Sequence, residues 1–312
     1  MIAWVPPPFS GTPAREEDVV MDLWSGLEHI VREQEVLAPH TWLRLGGPAQ
    51  FFAEPTTIDE LSALVKRSRE FDLPVRLLGG GSNLLVRDHG VAGLVIQLTA
   101  ATFADIRVQG RTLTAGGGAK LAHVVSTAVR EGLAGLEPLA GIPGTLGGAL
   151  HGNTSSSGGD AGQWARGATV MTRAGEILTR SREDLRFAYR ESSLDELVIL
   201  SASFELESEN SAELTKRLQK QWIVKKAAQP LCNQNCAYIF KDPVGTSAAS
   251  LIEEAGLKGT RIGDAEVSDR YANFIVAGPK ASSDDVLRLI DLIRSHVNDR
   301  LGVELATSLE VW

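Results

Sequence analysis

The sequence predicts a mixed α/β protein in three consecutive segments. Three patterns predict it: a strand–helix–strand unit between residues 50 and 98, short strand candidates broken by one helix between 106 and 206, and two long helices bracketing residues 212–301 ahead of a final strand. In the first segment, Thr57-Ile58-Asp59-Glu60 reads as a capping box, and Leu61, Leu64 and Val65 continue at helical spacing to about residue 72. Strands are expected at 50–54, 75–78 and 94–98. In the second segment the strand candidates are 106–108, 113–115, 169–172, 177–179 and 198–206. Its single helix, 119–131, carries Leu121, Val124, Val125, Ala128 and Val129 on one face and stops at Gly132. The third segment opens with a helix over 212–228, has a short helix at 248–255 and a strand at 272–277, and closes with a helix over 283–301 ended by Gly302. Residues 303, 305, 309 and 311 share parity, which predicts a last strand with Ser308 and Glu310 on the opposite face. The expected division is a loose tail at 1–20, rich in proline and then charge, followed by domains at 21–100, 101–210 and 211–312.

Composition bounds the function. With 43% hydrophobic and 22% charged residues the chain has the make-up of a soluble globular protein, and a net charge of −8 without a basic stripe argues against a nucleic-acid surface. The N-terminus lacks the basic start and apolar core of a signal peptide, and no apolar run is long enough to span a bilayer. The expectation is a cytoplasmic monomer with no membrane or nucleic-acid partner. Cys232 and Cys236 are too few for a disulfide framework and have no second pair to complete a zinc site. Six histidines, at 29, 40, 89, 123, 151 and 296, are scattered without metal-ligand spacing, so no metal is expected. His151 draws notice because it lies inside a glycine-rich loop.

Two such loops carry the functional signal. Gly79-Gly80-Gly81-Ser82-Asn83 follows a strand candidate and precedes Leu84-Leu85-Val86 rather than a helix. Gly141-Ile142-Pro143-Gly144-Thr145-Leu146-Gly147-Gly148, with Asn153 beyond it, places four glycines and a proline in eight residues. Glycine lets backbone run close to a large ligand and present amide N–H groups to an anion. The spacing and the missing helix exclude a Rossmann fingerprint, so the pair points to a dinucleotide site of another kind, with two tight turns between strands as the plain alternative.

Several motifs in order resemble the UDP-N-acetylenolpyruvoylglucosamine reductase (MurB) family. They run from His40-Thr41-Trp42-Leu43-Arg44-Leu45-Gly46-Gly47-Pro48-Ala49 through both glycine loops and Phe187-Ala188-Tyr189-Arg190-Glu191-Ser192 to Phe240-Lys241-Asp242-Pro243, Leu251-Ile252-Glu253, Gly256-Leu257-Lys258-Gly259, Arg261-Ile262-Gly263 and Ala265-Glu266-Val267-Ser268. The resemblance implies a two-subdomain FAD-binding fold of the PCMH/vanillyl-alcohol-oxidase type plus a C-terminal α+β substrate-binding domain. It implies that FAD contacts Gly79, Gly80, Gly81, Ser82, Asn83, Gly141, Ile142, Pro143, Gly144, Thr145, Gly147, Gly148 and Asn153. Hydride then passes from NADPH by way of FAD to the enolpyruvyl double bond of UDP-N-acetylglucosamine enolpyruvate, giving UDP-N-acetylmuramate for peptidoglycan synthesis.

Hydride addition to an alkene conjugated with a carboxylate builds up enediolate-like charge, so the site needs a cation and an acid. Arg190 matches the family's arginine, and Tyr189, Lys225, Lys241 and Asp242 are the expected substrate contacts. Three positions depart from the pattern. Tyr238 stands where the family has its serine or cysteine proton donor, which makes it either a phenolic donor or a ring that fills the substrate space. Cys236 shares its face about 6.5 Å away. Ser308 stands at the family's glutamate, with Glu310 offering a carboxylate one strand repeat, about 6.5 Å, further on. Asp242 replaces the usual asparagine, and Thr154-Ser155-Ser156-Ser157 replaces the run usual after Asn153. These changes keep open a non-catalytic relative that binds FAD or a nucleotide sugar and, from another direction, a flavin oxidase of the same cofactor fold. For Lys225-Lys226 the alternative is a surface pair offsetting a helix dipole; for Cys232 and Cys236, a metal or redox pair.

Overall fold

The computed structural model describes residues 23–156, 158–228 and 235–312. The expected tail at 1–20, Ser157 and Cys232 lie outside these residues.

The first unit is a four-stranded sheet in the order Val31–Val36, Pro48–Ala53, Val91–Gln97, Val75–Leu78. The last three are mutually parallel, and Val31–Val36 is an antiparallel edge. Val91–Gln97 is buried almost throughout because neighbours flank it on both sides, hence its near-continuous apolar run. Helix Ile58–Glu70 makes the crossover as its sequence predicted, with Thr57 and Glu60 closing a capping box and Leu61, Leu64 and Val65 turned inward. Strand Val31–Val36 was missed: Val-Arg-Glu-Gln-Glu-Val is mostly polar, as suits an exposed edge.

In the second unit a five-stranded antiparallel sheet runs Ile177–Ser181, Ala165–Met171, Val198–Glu205, Thr112–Gly116, Ile106–Gln109. Helix Leu121–Arg130 buries the five predicted apolar residues, Leu121, Val124, Val125 and Ala128 in the core beside this sheet and Val129 with Ala134 and Leu214, each large side chain contributing about 1.5–3 kcal/mol. One expectation is corrected here. The second glycine loop does run into a helix, Leu146–His151, capped by the Thr145 hydroxyl. With two glycines in six residues, that helix carried no periodic signal.

The third unit pairs Cys236–Tyr238, Phe274–Ala277, Ala265–Val267 and Arg261–Ile262 antiparallel, with helices Ala248–Glu254 and Ser283–Leu301 packed in the same core. The expected final strand is also corrected. Only Glu310–Val311 pairs, in parallel with Leu84–Leu85 of the first unit, while Thr307 bridges Phe240. Leu305 and Leu309 are buried as parity predicted, but Val311 is 40% exposed. The alternation fails because the Ser308 and Leu309 amides both turn to the Ile239 carbonyl, at 2.7 and 3.3 Å. The chain end thus returns to the first unit, whose Leu43, Leu45 and Leu85 share a core with Leu305 and Leu309. A reciprocal pair of hydrogen bonds, Asp88 N–H to the Ser283 hydroxyl (3.0 Å) and Ser283 N–H to the Asp88 carboxylate (2.9 Å), makes a second joint.

Candidate active site

The two glycine loops meet. A Cβ on Gly80 would lie 2.7 Å from the Gly144 Cα, and the Ser82 hydroxyl donates to the Pro143 carbonyl at 3.2 Å. Gly81 and Gly144 take left-handed φ of +65° and +119°, which glycine adopts without strain. The amides of Gly80, Gly81, Ser82, Asn83, Gly144 and Thr145 donate to no described residue. By contrast, Leu146, Gly147 and Gly148 give theirs to the Ala119 carbonyl, the Gly117 carbonyl and the Thr145 hydroxyl. Unpaired backbone N–H groups on glycine turns are the kind of donor that an anionic diphosphate such as that of FAD takes, and they lie on the loops rather than at the helix start. Asn153 is buried with both ends of its amide engaged, Nδ2 on the Ala188 carbonyl (2.7 Å) and Oδ1 accepting from Gly162 N–H (3.0 Å). Its side chain ties the loop to the hairpin that carries Arg190.

Arg190 lies in the two-residue turn between Phe187–Ala188 and Glu191–Ser192, at a left-handed φ of +59° that costs a non-glycine residue about 1 kcal/mol or more. Its guanidinium stands 5.4 Å from the Tyr238 ring centroid and 6.0 Å from that of Tyr189. Arg190 Nε is buried and hydrogen-bonds to no described residue. Two residues that are 48 apart in sequence thus lie side by side.

Tyr238 is positioned by the strand it ends and by Phe274. The Asn273 side chain brackets Phe240, two residues on, accepting from its N–H at 3.0 Å and donating to its carbonyl at 2.8 Å. Phe274 meets the Tyr238 ring edge-on at 5.6 Å. Burial, with the charge of Asp242 and the neighbouring Tyr189, pushes the Tyr238 phenol well above its ordinary range, against the opposing pull of Arg190 and Asn273. Its hydroxyl therefore keeps its proton at neutral pH. Cys236 is buried on the same strand, and burial pushes its thiol up to about 11. Asn273 was missed, although a lone amide within Tyr-Ala-Asn-Phe-Ile-Val signals a buried polar residue with a specific partner.

The remaining expected residues divide. Ser308 sits beside Ile239, and its carbonyl accepts from the Asn83 side chain at 2.8 Å, which links the first glycine loop to the chain end. Glu310 is exposed and its carboxylate accepts from the Trp312 indole at 2.9 Å. The Asp242 carboxylate accepts from Ala248 N–H at 2.9 Å, at the start of helix Ala248–Glu254, while its own N–H donates to the Tyr189 hydroxyl at 3.1 Å. Lys241 reaches Glu191 at 3.4 Å, a surface pair worth at most about 1 kcal/mol. Lys225 is buried, donates to the Pro138 and Ala140 carbonyls at 2.6 Å each, and is pushed down by burial to about 8. It braces the turn that leads into Gly141. His151 likewise bonds inward, to the Leu194 carbonyl at 2.9 Å. Among the described residues no cluster of three metal-ligating side chains occurs, and no helix is long and apolar enough to cross a membrane.

Known proteins bear on this geometry. Residues 49–181 match the profile of the FAD binding domain, and residues 229–312 that of the UDP-N-acetylenolpyruvoylglucosamine reductase C-terminal domain. The UDP-N-acetylenolpyruvoylglucosamine reductase of Rhodopirellula baltica is 41% identical over 92% of this chain and 94% of its own length. Reductase 2 of Symbiobacterium thermophilum is 41% identical over 90% of this chain and 92% of its own length. The crystal structure of MurB from Thermus caldophilus superposes with a TM-score of 0.78 at 35% identity, covering 90% of this chain and 99% of that one. The fold is accordingly the FAD-binding α/β fold with an added C-terminal α+β domain, and the chain belongs to the UDP-N-acetylenolpyruvoylglucosamine reductase (MurB) family.

Proposed function

We propose that the protein reduces UDP-N-acetylglucosamine enolpyruvate to UDP-N-acetylmuramate with NADPH, as a FAD-dependent oxidoreductase of peptidoglycan precursor synthesis. The observation that carries this reading is the Arg190–Tyr238 pair, 5.4 Å apart, a fixed cation over a protonated phenol. FAD, when bound, supplies the hydride relay between NADPH and the alkene. The nest formed by residues 80–83 and 144–145 holds its diphosphate. Arg190, with its buried Nε lacking any partner among the described residues, takes the substrate carboxylate and stabilises the charge that grows on it. Tyr238 gives its proton to the carbon next to the one that receives hydride, and the adjacent guanidinium favours the phenolate left behind. Tyr189 and Asp242, joined by a hydrogen bond, and Lys241, paired with Glu191, are the proposed substrate contacts, and Ser308 stands at the family's glutamate position with Glu310 two residues on.

The division at about residues 100 and 210, a monomeric state and a cytoplasmic location belong to the same reading; what supports the division is the separate sheet in each segment. The test is to mix purified protein with NADPH and the enolpyruvyl substrate and follow both NADPH and flavin absorbance. Substrate-dependent NADPH loss is expected. Flavin that NADPH reduces and substrate never reoxidises would refute turnover, and rapid reoxidation by oxygen alone would replace the reading with an oxidase.

A further inference from the structure

We propose that His40 and Gln97 are positioning residues for the first glycine loop, and that His40 acts there as an imidazolium. The proposal rests on the flavin-binding reading above and adds a pH-dependent element to it.

The hydrogen bonds around His40 have one consistent assignment. Gln97 Nε2 lies 3.1 Å from the Gly79 carbonyl, an acceptor only, so the amine end of the amide must face it. Gln97 Oε1 then faces His40 Nδ1 at 3.0 Å, and that nitrogen must carry a hydrogen. The other ring nitrogen, Nε2, lies 3.2 Å from the Glu35 carboxylate, again an acceptor only, so it must carry one as well. A neutral imidazole has a single N–H; only the cation satisfies both neighbours. Glu35 also pairs with Arg32 at 3.4 Å, which itself pairs with Glu54. The relay therefore runs from a half-buried carboxylate through His40 and Gln97 to the backbone of the flavin loop.

The ring is fixed from the other sides too. It packs on Phe52 with centroids 4.7 Å apart, and the opposite partner of Phe52 is the Arg32 guanidinium at 4.9 Å. His40 also touches the loop through its backbone, since a side chain at Gly81 would run into the His40 carbonyl. His40, Arg44 and Gly80 line one cavity of about 130 Å³. Among the described residues the charged groups near the ring are Glu35 and Arg32 from strand Val31–Val36 and Arg44 from its own loop; Phe52 and Gln97, from the two strands packed against it, do not titrate.

Losing the second proton breaks the relay at one point or another. Either a lone pair on Nε2 meets the Glu35 carboxylate, or a lone pair on Nδ1 meets Gln97 Oε1. Turning the Gln97 amide to mend the latter sets its oxygen against the Gly79 carbonyl. The cation favours the flavin-ready loop, so its contribution holds while both ring nitrogens carry hydrogen and is lost with either proton.

The experiment is FAD titration of the apoprotein by flavin fluorescence from about pH 5.5 to about pH 9, together with ¹⁵N NMR of the His40 ring in the full chain. Wild type is expected to bind FAD roughly tenfold more weakly at the alkaline end, with both ring nitrogens protonated where binding is tight. His40→Gln should bind at the weaker level throughout, with no pH step. Glu35→Gln, a change at a half-buried side chain that can itself donate to a neutral ring nitrogen, should keep tight binding to higher pH. Thermal unfolding of each apoprotein reports folding, and should His40→Gln fail to fold, Glu35→Gln and the wild-type ring nitrogens decide. A wild-type affinity without a pH step, or a singly protonated ring where binding is tight, would overturn the inference while leaving FAD binding in place. No FAD binding at any pH would overturn the flavin reading as well.

Discussion

Gly80→Ala probes the joint between the two glycine loops. The added methyl would lie 2.7 Å from the Gly144 Cα and 3.3 Å from the Gly144 carbonyl carbon, both backbone atoms that no rotamer change can move aside. Ordinary carbon–carbon contact needs about 3.5–4.0 Å, so the loops must part by roughly 1 Å. The overpacking itself costs about 1–3 kcal/mol. Its larger effect falls on the ligand. Amide donors set to reach the diphosphate at about 2.9 Å move out of hydrogen-bond range when displaced by about 1 Å. Two lost bonds to a charged group amount to about 3–6 kcal/mol, or roughly a hundredfold or more in affinity. The assay is FAD titration of the apoprotein alongside its thermal unfolding. A Gly80→Ala protein that binds FAD within about threefold of wild type would refute the claim that the two loops form one rigid nest.

Three further outcomes are expected. Tyr238→Phe keeps the ring against Arg190 and Phe274 but removes the proton: flavin reduction by NADPH should be unchanged while turnover of the enolpyruvyl substrate falls about 10²–10⁴-fold, and a loss under about threefold would rule Tyr238 out as the donor. Asn273→Leu leaves the Phe240 N–H and carbonyl unpaired in the core and should cost about 2–5 kcal/mol in urea unfolding; a change below about 1 kcal/mol would show the bracket to be dispensable. Lys225 has a folded pKa of about 8 against 10.5 unfolded, so between those values the unfolded chain binds more protons and the stability of the folded protein should rise with pH. That rise should vanish in Lys225→Met, and a profile identical in both proteins would mean that another group is responsible.

Much of the fold was legible because its signals are local. The Thr57–Glu60 capping box, the apolar face of helix Leu121–Arg130 and the Gly302 stop each depend on residues within a few positions of one another. Strand Val31–Val36 was illegible because an edge strand has no buried face to impose alternation, and helix Leu146–His151 because its start is fixed by the Ala119 and Gly117 carbonyls from elsewhere in the chain. In the site, the glycine loops and Arg190 were readable from residue type and motif order. The inward turn of Lys225, the capping work of Asp242 and the structural tie made by Asn153 were not, since each depends on which acceptor folding places nearby.

By itself, then, the sequence determined the helices and most strands, two glycine-rich loops suited to a dinucleotide, and an arginine and a phenol suited to charge stabilisation and proton transfer. Tertiary structure alone decided that the loops touch at Gly80 and Gly144, that the chain end returns to Asn83, and that His40 and Gln97 reach Gly79. Residue type sets which bonds a group can make. Only packing sets which of them it does make, because hydrogen bonds and close contacts are decided within about 3–4 Å, and sequence spacing says nothing of that distance for residues 60 or 225 positions apart.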